Sequence, residues 1–428
     1  MRIEPAKNLQ GEPRLPGDKS ISHRYAILSA MAEGRGRLQN YSDSDDCAAT
    51  LECVAALGAE VEQEGREVCV QGRGWKHWRQ PKSPLQARNS GTLMRLLTGP
   101  LSGMPFDSVF EGDESLSGRP MERIMRPLSE MGGRIGSRPG GLPPLHIKGR
   151  ELRGIRYSPP VASAQVKSCV LLAGLVAQGS TEVVEQTHTR DHTERCLPFF
   201  GADFASRQGV LRVAGGKPLK AVDFTVPGDF SAAVFFIVAA LMVPGARLRI
   251  PQVGVNPSRS GLLDLLEQAQ VKIERANPRE YNGEPVCDLE LKHQSHVLEH
   301  FPSQLRGRWI PNLIDEIPAL AVLGTRLKAG FTVRDAEELR KKECDRIRAV
   351  TENLSALGVQ CEEFPDGFHI PPGQQIQGGT VKTYGDHRIA MAFAVAGLIA
   401  RQAVEIDDPS CAAVSFPGFF DNLKSLAR

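Results

Sequence analysis

The 428-residue chain is 41% hydrophobic and 24% charged, the balance of a globular protein too long for a single core. A formal charge of only +2 and 6% aromatic residues exclude a polyanion-coating surface and stacking platforms for nucleic acid, so any basic site must be local. Nine cysteines, scattered without a CxxC pair, fit buried thiols of a reducing compartment better than disulfides or zinc, and a cytoplasmic location is expected.

The first segment, MRIEPAKNLQ, carries Glu4 and Pro5 in place of an apolar stretch; it reads as a strand and not as a signal peptide. PGDKSISHRYAIL follows at residues 16–28. Gly17 and Asp18 form a turn, and Ser20 is expected to cap a helix bearing Ile21, Tyr25 and Leu28. Lys19 and Ser20 at that helix start make a ready anion site, and Arg24, four residues after Ser20, shares its face. Read alone, the segment is equally an ordinary capped helix with surface cations. LECVAALGAEVEQ, from Leu51, is an amphipathic helix that stops at Gly58, because glycine takes the left-handed conformation without strain. Val61, then Val68 and Val70, read as the two strands of a hairpin around Glu64-Gly65.

RNSGTLMRLL, residues 88–97, offers Asn89, Ser90, Gly91 and Thr92 as small residues with exposed N–H groups entering an apolar helix. In GDESLSGRPMERIMRPL, Pro120 is expected to start a helix and to hold Arg119 just outside its first turn. SAQVKSCVLLAGLVAQG, residues 163–179, sets Ser163 and Gln165 ahead of a buried helix, and THTRDHTERC then presents Thr189, Arg190 and His192. His188 and His192 lie at zinc-ligand spacing, but an arginine reading a phosphate beside a helix cap is the simpler account. The apolar run Ala232–Val243 is too short to span a bilayer and ends at Pro244. His293, His296 and His300 would share a helical face, yet no Cys or Asp nearby completes a metal set, so no metal is expected. LIDEIPALAV places Asp315 and Glu316 before an apolar helix. ELRKKECDRIRAV groups Lys342, Glu343 and Arg346 within one turn; its bland reading is a solvated helix laced by ion pairs. YGDHRIAMAFAVAG puts Asp386, His387 and Arg388 before another apolar helix.

The helix–Gly–strand–turn–strand pattern recurs in LSEMGGRIGS, LPFFGADFAS, LLDLLEQAQVKIE and LSALGVQCEEF, with Ala269 standing for the glycine in the fourth copy. FFDNLKSLAR resembles a sixth helix, and the strand in residues 1–10 would complete its unit. Residues 1–16 with 229–428 would then form one three-unit domain and 17–228 the other, with crossings near Pro16-Gly17 and Pro227-Gly228 that read as hinges or as plain turns. Short polar clusters before apolar helices, pointed into one cleft, would gather Lys19, Arg119, Arg190, Lys342, Arg346 and Arg388. Two cations about 4 Å apart repel by roughly 4 kcal/mol at an effective dielectric near 20, so such a set needs anions among its members. An open cleft that closes on an anionic ligand is the corresponding expectation.

Together PGDKSISHR, NSGT with MR, the Arg-Pro step, SAQVK, RDHTE, DE(x)PAL, KE(x)DR and GDHRIAMAF resemble the 5-enolpyruvylshikimate-3-phosphate synthase family, in its motif order, over residues 16–394. The resemblance implies an α/β fold, an inside-out α/β barrel of two domains with six repeated βαβαββ units in pseudo-threefold arrangement. It implies transfer of the enolpyruvyl group of phosphoenolpyruvate to shikimate 3-phosphate, with no cofactor and no metal. Ser20 and Arg24 would hold the shikimate carboxylate; Ser163, Ala164, Gln165 and Arg190 its phosphate; Asp315 and Lys342 its hydroxyls, with Lys19 also in contact. Lys19, Gly91, Arg119, Gln165, Arg346, His387 and Arg388 would hold phosphoenolpyruvate. Asp315 would be the base, Glu343 the acid, and Lys19 a partner in catalysis. Glyphosate is the inhibitor the resemblance suggests, but the branch with SAQVK and RDHTE often carries Ala at the position of Gly91, which leaves the response open. A lysine that some members carry near the final SFP is replaced by Ala413 and Val414. A monomer without nucleic-acid or membrane partners is expected. The alternatives are the UDP-N-acetylglucosamine enolpyruvyl transferase, whose reactive cysteine is Glu114 here, an RNA 3′-phosphate cyclase of similar fold, and a non-catalytic phosphate-binding module.

Overall fold

A computed structural model of the chain describes residues 1–427. Its backbone is mixed α/β, with six small sheets. By contacts the chain divides into two units, one comprising Gly17–Val226 with Tyr281–Glu284, the other Met1–Pro16, Pro227–Glu280 and Pro285–Arg428.

The unit built on residues 17–226 holds three apolar helices, Lys19–Met31, Gly91–Leu101 and Ala164–Val176, which pack on one another. The approach is close: a Cβ on Gly99 would lie 2.4 Å from the Cys169 carbonyl oxygen, so only glycine fits there. Around the helices stand three sheets of one design, a two-residue edge strand parallel to its neighbour and then an antiparallel hairpin. In the sheet of Glu33–Gln39, Glu60–Glu64 and Glu67–Arg73, the hairpin register pairs Val61 with Val70 and Glu64 with Glu67 around the Gly65 turn. Alternation of buried Val68 and Val70 with more exposed neighbours gives that sheet its inward face. The edge strand, Phe224–Thr225, comes from the far end of this unit's sequence and pairs parallel with Leu38–Gln39.

In the other unit the three buried apolar helices are Phe230–Met242, Ile317–Gly324 and His387–Ile399. Every residue of Phe230–Met242 is buried, which accounts for its unbroken apolar sequence. Two sheets repeat the four-strand order, and in one of them Gln10–Gly11 pairs parallel with Arg247–Leu248. The third has three strands: Gly379–Val381 runs parallel to Val404–Ile406, and Arg2–Ile3 pairs antiparallel with Val404–Glu405.

The left-handed turns at helix ends fall on Gly58, Gly132, Gly201 and Gly358, with φ of 108°, 98°, 72° and 80°. In the remaining copy the turn residue is Gln270, at φ 58°, and Ala269 is only the helix cap, so the expected alignment was off by one position. Glycines 17 and 228 have steric reasons of their own. A Cβ on Gly17 would lie 1.9 Å from the Asn40 carbonyl oxygen, and one on Gly228 would lie 3.0 Å from that of Gln252. Among the described residues no helix is long and apolar enough to cross a membrane.

Candidate active site

In the unit of residues 17–226 the candidates cluster at helix starts. Asp18 caps the Lys19 helix by accepting from the Ile21 N–H at 2.9 Å; Ser20, the expected cap, lies inside the first turn. Lys19 Nζ meets Asp46 Oδ2 at 2.8 Å. Arg24 is buried, and its hydrogen-bond partners are neutral oxygens: Thr193 Oγ1, Ser168 Oγ and the Ser20 carbonyl. Burial pulls its guanidinium down from the ordinary value, Cys196, Glu194 and Asp18 opposing. A buried guanidinium held only by neutral groups is well suited to take an anion. His23, beside it, is buried with Nδ1 2.6 Å from Thr50 Oγ1, and burial together with Lys19 and Arg24 holds the imidazole well below its usual range.

Ser90 caps the Gly91 helix through the Leu93 N–H, so the N–H of Gly91 stands in the first turn. Gln165 is tied to that helix, accepting from Arg95 Nη1 at 2.7 Å and donating to Thr92 Oγ1 at 3.0 Å. Arg119 is buried and donates to Asn89 Oδ1 and Ser115 Oγ, both at 2.9 Å. No helix starts at Pro120: Arg119 closes the short helix Glu114–Ser117 through its N–H to the Leu116 carbonyl, and the next helix begins at Glu122.

Ser163 caps the Ala164 helix, which places Ala164 and Gln165 inside the first turn and not ahead of it. The loop bearing Arg190 is anchored one residue earlier, where Thr189 N and Oγ1 donate to Glu185 Oε1. Glu185 in turn pairs with buried Lys167 at 2.8 Å. The two histidines at zinc-ligand spacing turn to different carboxylates, His188 to Glu185 and His192 to Glu284. His293, His296 and His300 hydrogen-bond to the carbonyls of Leu241, Gln270 and His296, and only His300 belongs to the short helix Val297–His300. Among the described residues no His, Cys, Asp and Glu group could hold a metal ion.

The other unit gathers a compact charge cluster. Residues 337–348 are not one solvated helix: a 3-10 turn, Glu337–Lys341, is followed by a helix that begins at Arg346 and is capped by Asp345. Arg346 is 1% exposed and spans three carboxylates. Its Nε lies 2.7 Å from Asp386 Oδ2, its Nη2 2.6 Å from Glu343 Oε2, and its Nη1 3.4 Å from Asp315 Oδ1. Burial pulls this guanidinium down, but Asp386, Glu343 and Asp315 more than offset it, so it stays charged. Asp315 Oδ1 also faces Lys342 Nζ at 3.7 Å and Arg388 Nε at 3.8 Å, while Arg388 Nη1 donates to the Asp315 carbonyl at 3.0 Å. Asp386 caps the last apolar helix through the Arg388 N–H at 2.8 Å, so His387 and Arg388 begin that helix. His387 is buried. The protein's own carboxylates thus stand among Lys342, Arg346 and Arg388, and substrate anions are not needed to keep these cations together.

Sequence reasoning passed over Asp46 and Arg95, and it named Asp386 without its partner Arg346. Arg95 was visible as the MR after NSGT, but its target Gln165 lies 70 positions away.

The chain matches the family described as EPSP synthase (3-phosphoshikimate 1-carboxyvinyltransferase) over residues 3–423. It belongs to that family. A 3-phosphoshikimate 1-carboxyvinyltransferase of Solibacter usitatus (strain Ellin6076) is 48% identical, with 100% of this chain and 99% of the relative covered. One from Desulfitobacterium hafniense (strain DSM 10664 / DCB-2) is 44% identical, with 100% and 98% covered. A solved EPSP synthase from Acinetobacter baumannii superposes with a TM-score of 0.84 at 38% identity, covering 100% of this chain and 98% of that one. Similarity over the full length carries EPSP synthase activity, EC 2.5.1.19, in the shikimate pathway of aromatic amino acid biosynthesis.

Proposed function

We propose that the chain joins phosphoenolpyruvate to the 5-hydroxyl of shikimate 3-phosphate by addition and elimination, with Asp315 as base and Glu343 as acid. Asp315 takes the hydroxyl proton as the oxygen attacks the central carbon of the enol, and Glu343 delivers a proton to the methylene carbon. The tetrahedral adduct then loses inorganic phosphate and returns a proton from the new methyl group, so the enol double bond is restored. The observation that carries this reading is the Asp315 carboxylate, aimed among Lys342, Arg346 and Arg388. Glu343 begins in an ion pair with Arg346. An incoming anion that engages Arg346 would release Glu343 for its proton, linking substrate arrival to the acid step.

In the same reading Ser20 and Arg24 take the shikimate carboxylate, and Ser163, Ala164, Gln165 and Arg190 take its phosphate. Lys342 and Lys19 help Asp315 hold the shikimate. Phosphoenolpyruvate is assigned to Lys19, the Gly91 N–H, Arg119, Gln165, Arg346, His387 and Arg388, whose cations stabilise charge on the departing phosphate. Capped helix starts at Gly91 and Ala164, with N–H groups in the first turn, support anion binding. We read the architecture as six βαβαββ units in pseudo-threefold order, in domains 1–16 with 229–428 and 17–228; the recurring strand order supports it. We place the enzyme in the cytoplasm, as a monomer.

The test is phosphate release with both substrates, with and without glyphosate. Asp315→Asn should lower kcat by about 10²–10⁴. Glu343→Gln should abolish exchange of the methylene protons. Release that needs only one substrate, or an Asp315→Asn enzyme of wild-type kcat, would sink the scheme.

A further inference from the structure

Three bonds fix the Arg24 side chain: Nε to Thr193 Oγ1, Nη2 to Ser168 Oγ and Nη1 to the Ser20 carbonyl, each 2.8 Å. The two hydroxyl oxygens lie 2.7 Å apart, so the guanidinium and both hydroxyls close a triangle. Ser168, Thr193 and Arg24 are all buried. These bonds use three of a guanidinium's five N–H groups. The two left over sit on the two terminal nitrogens, the pair that grips a carboxylate in fork-to-fork recognition.

The hydroxyls are themselves held. Ser168 lies in the helix Ala164–Val176 and Thr193 in the short helix His192–Cys196. The preceding and following residues tie the same two helices together, Lys167 Nζ meeting Glu194 Oε1 at 2.5 Å. Lys167 also pairs with Glu185, which anchors the Arg190 loop through Thr189. Separating the helices would leave the buried Glu194 carboxylate without its ammonium partner, a costly arrangement that keeps the hydroxyl pair in register.

We propose that Ser168 and Thr193 are positioning residues that aim the two remaining N–H groups of Arg24 at the carboxylate of shikimate 3-phosphate. The proposal rests on the assignment of Arg24 to that carboxylate. A threonine at 193 then serves specificity: without its oxygen the guanidinium swings, and the acid it should grip is met by one N–H in place of two.

The experiment compares Thr193→Val, Thr193→Ser, Ser168→Ala and Arg24→Lys in the full-length protein, reading KM for each substrate and kcat by phosphate release, with thermal melting as the folding check. Thr193→Val and Ser168→Ala should raise KM for shikimate 3-phosphate about tenfold, with kcat and KM for phosphoenolpyruvate within about twofold of wild type. Thr193→Ser should restore the wild-type value. If both variants leave KM for shikimate 3-phosphate unchanged while Arg24→Lys raises it, the positioning role is overturned and the Arg24 assignment survives. If Arg24→Lys also changes nothing, the assignment falls and the positioning role falls with it. Equal losses in kcat and both KM values, not rescued by Thr193→Ser, would mean a general structural role and overturn the proposal. Should Thr193→Val fail to fold, Ser168→Ala decides by the same readout.

Discussion

Asp386 does two jobs with one carboxylate. It accepts the Arg388 N–H at the start of the last apolar helix and receives two contacts from Arg346, at 2.7 and 3.3 Å. Asparagine can still cap a helix but carries no charge. Asp386→Asn should therefore isolate the effect of the buried ion pair, costing about 3 kcal/mol of stability. Urea unfolding at neutral pH would measure it as a lower midpoint at constant slope. His23 supplies a pH dependence. Burial, then Lys19 and Arg24, keep its imidazole neutral in the folded chain, while the unfolded chain takes a proton below its ordinary value of 6.5. The native state refuses that proton, so stability falls as pH drops through that value, by at most about 1.4 kcal/mol for each unit. His23→Gln should flatten the difference between urea midpoints at neutral and mildly acid pH; an unchanged slope would exclude His23 as its source. The charged candidates themselves were legible from residue type and local spacing. Their distant partners were not, because Arg346 reaches Asp386 across 40 positions and no local pattern encodes such a distance.

Helix ends show what a local reading can and cannot decide. Asp18 and Ser20 are both good cap residues two positions apart, and the choice depends on where the backbone turns helical, which tertiary packing sets. The glycine stops at Gly58 and Gly358 were legible because positive φ favours that residue. Gln270 hid the fifth stop, since a glutamine at φ 58° carries no such signal. That position is strained for any side chain, so Gln270→Gly should stabilise the protein by up to about 1 kcal/mol. The His296 Nε2 bond is to the Gln270 backbone carbonyl and would be kept. A chemical-melt series would check it; a loss of stability would show that the Gln270 side chain makes up for the strain.

Across the whole chain, the hairpins were legible from alternating residues, whereas the two-residue parallel edge strands are too short to have a period. Ile3 is nearly fully buried in its short strand, and a Cβ on Gly397 would lie 2.8 Å from it, so the fit leaves no slack. Ile3→Ala should cost about 2–5 kcal/mol, and Ile3→Val about 1, read from unfolding midpoints. A negligible effect would mean that this strand contributes little to its sheet.

That strand also orders events in time. The Met1 amine and the Ile406 carbonyl it bonds lie 405 positions apart. A ribosome adds about 5–20 residues each second, so this strand waits on the order of a minute for its neighbour. Throughout that interval Ile3 and Leu9 must stay out of wrong pairings, while the segment from Gly17 to Val226 already has its own three helices to fold around. Nascent chains halted before residue 404 should therefore protect the middle of the sequence from protease and leave its beginning open to cleavage.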